Sequence, residues 1–100
     1  MIRGTTPTHI FQLPMDTGDL KQIRITYSQL GRTVVEKTER DVRMEGSTIT
    51  LTLTQEETLA FYHKSGVRFQ IKVLTRDGTL LASAVKELSV GEILNTEVLE

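Results

Sequence analysis

Thr48-Ile49-Thr50-Leu51-Thr52-Leu53 is an unbroken alternation of polar and apolar side chains. Successive side chains of a β-strand point to opposite faces, so Ile49, Leu51 and Leu53 share one face of such a strand. The threonines share the other, where a β-branched polar side chain suits a pleated, solvated surface. Two more stretches repeat the pattern. Val67-Arg68-Phe69-Gln70-Ile71-Lys72-Val73 sends its apolar residues one way and Arg68, Gln70 and Lys72 the other, and Ile23-Arg24-Ile25-Thr26-Tyr27-Ser28 does the same with Ile23, Ile25 and Tyr27. Three half-buried strands of this kind predict antiparallel sheets with one wet face. Ile23, Ile25, Ile49, Leu51, Leu53, Phe69, Ile71 and Val73 are expected to be buried in one core between two sheets.

Working outward, weaker strands fill the intervals. Thr8-His9-Ile10-Phe11-Gln12-Leu13 is bracketed by Pro7 and Pro14, which suits a sheet edge or a strand start. Residues 33–37 follow the turn Leu30-Gly31-Arg32, and residues 41–44 precede Glu45-Gly46-Ser47. Asp77-Gly78 is a hairpin dipeptide that joins the strand ending near Thr75 to one starting at Thr79. Residues 79–90 are too many for one regular strand and predict a bulge near Ala84.

One helical signal interrupts the strands. Thr54-Gln55-Glu56-Glu57 has the spacing of a capping box, in which Thr54 and Glu57 each satisfy the other's backbone amide. It predicts a short helix over residues 55–63, with Leu59 and Tyr62 as its apolar edge and Gly66 as a stop after His63-Lys64-Ser65. The expected fold is all-β: an immunoglobulin-like antiparallel β-sandwich of about seven strands with this one helix. A five-stranded barrel or an α+β roll is the alternative. The sandwich is expected to span residues 1–90, with residues 91–100 as an extension. Ile93, Leu94, Val98 and Leu99 are many apolar residues for a solvated tail and are the candidate partner-binding positions.

Composition narrows the function. One hundred residues suffice for one domain, with 25% charged and 38% hydrophobic residues. Twelve Lys plus Arg stand against 13 Asp plus Glu, a net charge of −1, which leaves no electrostatic footprint for nucleic acid or an anionic membrane surface. There is no transmembrane-length apolar run, and the N-terminal stretch has no apolar signal-peptide core. With no cysteine, disulfides, thiol nucleophiles and cysteine metal sites are excluded.

The chemistry-bearing residues read as structural. His9 and His63 are far apart and lack zinc-ligand spacing. Asp16-Thr17-Gly18-Asp19 superficially resembles a calcium turn but lacks the further oxygen ligands, so a capped turn between the first two strands is expected. Glu56 and Glu57 point about 100° apart on a helix and serve the cap and the dipole rather than acid–base work. Ser28, Ser47, Ser65, Ser83 and Ser89 sit in no nucleophile-elbow pattern, and the seven glycines form no phosphate loop. Arg68 and Lys72, with Arg24 beside them, form a basic strand face, yet the few aromatics sit in apolar-facing positions, which leaves no base-stacking platform. No enzyme activity, cofactor, metal or small-molecule ligand is expected.

Arg3-Gly4-Thr5-Thr6-Pro7-Thr8-His9, then Leu53-Thr54-Gln55-Glu56-Glu57-Thr58-Leu59, then residues 67–83 around Arg76-Asp77-Gly78-Thr79, and last Val90-Gly91-Glu92-Ile93-Leu94, together resemble small prophage-encoded proteins of Firmicutes, about 100 residues long. The resemblance covers nearly the whole chain and is carried by caps, turns and strands. It implies a non-enzymatic structural component of the phage virion, in the tail or baseplate, whose partners are copies of itself or other virion proteins. A stand-alone β-sandwich binding module, of adhesion or carbohydrate-binding type, is the alternative.

Overall fold

The computed structural model describes residues 1–83, 85–91, 94, 96 and 98. The alternating stretches become strands close to their expected limits: β1 (Thr8–Gln12), β2 (Leu20–Gln29), β3 (Arg32–Thr38), β4 (Arg43–Glu45), β5 (Thr48–Thr52), β6 (Val67–Thr75), β7 (Leu80–Ala82) and β8 (Lys86–Leu88). One helix, α1 (Gln55–Leu59), lies between β5 and β6. The strands form two antiparallel sheets, one ordered β1-β5-β4 and the other β3-β2-β6-β7, with β8 also on β6. Among the described residues no helix is long and apolar enough to cross a membrane.

The core lies between the sheets. Ile49, Leu51 and Leu53 face Ile23, Ile25, Tyr27, Val67, Ile71 and Val73, all buried, and Leu20, Val35, Phe61 and Val90 complete the layer. The alternation therefore decides which side of each strand is dry. Phe69 departs from expectation. It packs against the core only partly buried, because the sandwich is open along its flank.

The turns follow local chemistry. Leu30 (φ 54°) and Gly31 (φ 75°) both adopt positive φ between the paired Gln29 and Arg32, the two-residue turn whose twist matches antiparallel strands. Leu30 is the one non-glycine among the described residues held there, a conformation that crowds its Cβ. The Asp77-Gly78 hairpin forms as expected, Gly78 at φ 91° and Asp77 accepting from Thr75 and Thr79. Beyond it the strand is split into β7 and β8, so the described strands number eight. Phe69 opposes Lys86 and Lys72 opposes Ala82, so four steps on the outer strand match three on β6. The bulge expected near Ala84 falls on a residue outside those described; the registers flanking it differ by one residue.

The capping box is complete. Thr54 Oγ1 accepts from Glu57 N–H (3.1 Å) and Glu57 Oε1 accepts from Thr54 N–H (2.9 Å). The helix is shorter than the 55–63 expected, ending at Leu59 with Ala60 as its C-cap. The chain then turns so that Phe61, rather than Tyr62, enters the core, while Tyr62 is exposed and His63 lies in the following turn. The Leu59–Tyr62 edge thus does not form. Buried Gln29 dictates this geometry: its side-chain amide donates to Tyr62 O (2.7 Å) and Ser65 O (2.9 Å) and accepts from Tyr62 N–H (2.7 Å).

Candidate functional site

The sequence candidates for chemistry do not converge. Asp16 caps a 3-10 turn over Thr17–Asp19 by accepting from Gly18 N–H (2.7 Å), and Thr17 is bonded to Gly46 O (2.7 Å). Asp16-Thr17-Gly18-Asp19 is thus the expected capped turn. Glu57 is held between the cap and Lys37; burial pushes its carboxyl up, and the bonds from Lys37 and Thr54 outweigh that and leave it below its usual range. Arg24 stands opposite Lys72 across the β2–β6 ladder but is paired with Glu39 (3.1 Å) and Glu36 (3.8 Å), so the basic face is partly neutralised. Among the described residues no three His, Asp or Glu side chains gather where they could hold a metal ion.

His9 is drawn inward. It alternates with exposed Thr8 and Ile10 on β1, and its Nδ1 lies 2.7 Å from the Tyr27 hydroxyl in a hydrogen bond. Burial, helped by the positive α-amino group, lowers the pKa of His9, whereas burial pushes the Tyr27 phenol far above its usual range with Glu57 adding to the effect. At neutral pH the pair is an uncharged polar contact inside an aromatic cluster. Tyr27 stacks on Phe69 (centroids 5.9 Å apart) and meets Phe61 edge-on (6.4 Å), and Phe11 leans on Phe69 (5.8 Å). Four of the five aromatic rings are consumed in this cluster, leaving only Tyr62 at the surface.

An apolar-lined groove of about 640 Å³ runs along the open flank of the sandwich. Residues 10–15, on and just beyond β1, form one wall, and residues 81–83, on and just beyond β7, form the other with Lys86 of β8. Phe69, Ile71 and Val73 of β6 make the floor. Its lining is thus mainly apolar, with Lys86 the one charged lining residue among those described. Ile10 in its wall is 65% exposed, and Leu80 beside it is 58% exposed.

The β1 wall also presents backbone. Leu13 N–H donates to Ser47 O (2.8 Å) and Leu53 N–H to Pro7 O (3.1 Å), at the two ends of an unshifted ladder. In such a ladder alternate residues bond the partner, so the odd-numbered residues of β1 point their backbone groups at β5. Thr8, Ile10 and Gln12 point theirs the other way, and among the described residues β1 pairs only with β5. The one local sign of this edge is the flanking Pro7 and Pro14.

The segment that carries the candidate partner-binding residues leaves the sandwich from Gly91, at the α1 end. There Gly91 is tied to the N-terminal residues through an isolated bridge, by Gly91 N–H to Met1 O (2.6 Å) and Arg3 N–H to Gly91 O (3.2 Å), and the Arg3 guanidinium reaches Leu59 O (2.9 Å). Leu94 is 96% exposed and Val98 half-buried; Ile93 and Leu99 lie outside the described residues. Comparison of the chain with protein-family models, curated proteins and solved structures finds no match.

Proposed function

We propose that this chain is a non-enzymatic assembly module, a structural component of a phage or prophage virion in the tail or baseplate, that acts by protein–protein docking. The observation that carries the docking part is the open flank: an apolar groove walled on one side by a strand edge whose outward backbone groups have no strand partner among the described residues. Unpaired edges and contiguous apolar surface are what soluble monomers avoid and assembling subunits use. The virion part rests on the resemblance to prophage-encoded proteins.

The immunoglobulin-like reading of the sandwich belongs with this proposal. The neighbour relations β4-β5-β1 and β3-β2-β6-β7 parallel D-E-B and C′-C-F-G of an immunoglobulin sandwich, with α1 at the E–F corner. In that scheme the strand that would lie beside β1, strand A, has no counterpart among the described residues. The test is the protein content of purified particles from an induced lysogen carrying this gene. A fixed copy number per particle is expected; a chain that is expressed but excluded from particles overturns the virion reading.

A further inference from the structure

We propose that the groove receives the C-terminal segment, residues 92–100, of a second copy of this chain as an added strand on β1, so that copies join head to tail. This rests on the assembly reading above and specifies its partner. The acceptor combines the two elements that strand addition uses: outward backbone groups at Thr8, Ile10 and Gln12 for main-chain hydrogen bonds, and an apolar floor for alternate side chains.

The occupant is argued from three observations. Residues 92–100 can reach about 30 Å when extended, against roughly 17 Å for the five residues of β1, so the segment can leave one molecule and still cover the strand of another. As an added strand it sets Leu94 and Val98 on one face, toward the apolar floor, with Ile93 and Leu99 on the other. Its charges are Glu92, Glu97 and Glu100 with no basic residue, complementary to Lys86 in the groove wall.

A second copy is favoured over the chain's own segment by the exposure of Leu94. Gly91 is tied to Met1 and Arg3 at the α1 end, and Leu94, three residues on, holds its side chain almost wholly in water instead of against its own core. Tail and groove are different surfaces of one molecule, so the contact is heterologous and propagates.

The test is light scattering of the full-length chain across a concentration series, with two full-length variants. Leu94→Asp damages the tail and leaves the groove intact. Ile10→Pro removes an amide that points away from β5, a position where an edge strand tolerates proline, and obstructs the added strand. Wild-type mass is expected to rise with concentration, each variant alone to stay at monomer mass, and their equimolar mixture to give a one-to-one pair and nothing larger. A mixture that stays monomeric, variants that still assemble like wild type, or a wild type that is monomeric throughout overturns the inference. Particle composition, measured separately, decides the virion reading whichever result is obtained. Circular dichroism checks that each variant folds; should Ile10→Pro not fold, Leu81→Asp, in the opposite groove wall, takes its place with the same expected results.

Discussion

Replacing Gln29 by methionine keeps the length of the side chain and removes its amide. Three hydrogen bonds disappear together, those from Nε2 to Tyr62 O and Ser65 O and that from Tyr62 N–H to Oε1, all 2.7–2.9 Å long and centred on a side chain 4% exposed. At roughly 1 kcal/mol net for each, the expected loss is about 3 kcal/mol, a large share of a small domain's stability. For a domain of this size that is a fall in Tm of at least about 12 °C. Urea unfolding followed by circular dichroism measures it, and limited proteolysis should find the chain near residues 62–65 opened first. Gln29→Glu is expected to be worse at pH 7, because its carboxylate would face two carbonyl oxygens. That carboxyl would have a raised pKa in the folded state, so this variant should recover stability as the pH falls. A loss below about 0.5 kcal/mol for Gln29→Met, the range of ordinary surface changes, would refute the claim that this amide shapes the α1–β6 connection.

Leu30→Asn should stabilise the fold by about 1 kcal/mol in thermal melts, since asparagine tolerates the positive φ that Leu30 is forced to adopt beside Gly31. Thr54→Ala should cost about 1 kcal/mol through the lost cap on Glu57 N–H, and an unchanged melting curve would show that the cap is not needed. His9, whose pKa is lowered by burial, binds its proton more readily in the unfolded chain, so stability present above pH 6.5 should decline as the pH falls through the lowered folded value. His9→Gln should flatten the part of that decline that sets in below pH 6.5 in denaturation series run at each pH, leaving the loss caused by carboxylate protonation.

Much of this architecture is local and was therefore legible. A strand with one wet face must alternate, so residues 48–53, 67–73 and 23–28 disclose both their conformation and the side they bury. The capping box closes within four residues, and the Asp77-Gly78 turn needs only the backbone freedom of a glycine. The end of α1 was not legible, because Gln29, more than thirty residues away, captures the backbone of Tyr62 and turns Phe61 inward. Nothing in the pattern of Thr8-His9-Ile10 announces that His9 meets Tyr27 across the core; proximity between two sheets is a long-range fact.

By itself the sequence determined the strand faces, the cap, the turns and the absence of cysteine chemistry, since each depends on side chains or backbone freedom within a few residues. Only the tertiary structure decided which strands lie at edges, that β1 and β7 stand on the same flank, and that Phe69 is left half-covered over a groove. The physical reason is that alternation states which side of a strand is dry but not which strand lies beside it. The groove exists because of the second fact, so it could be found only once the sheets were assembled.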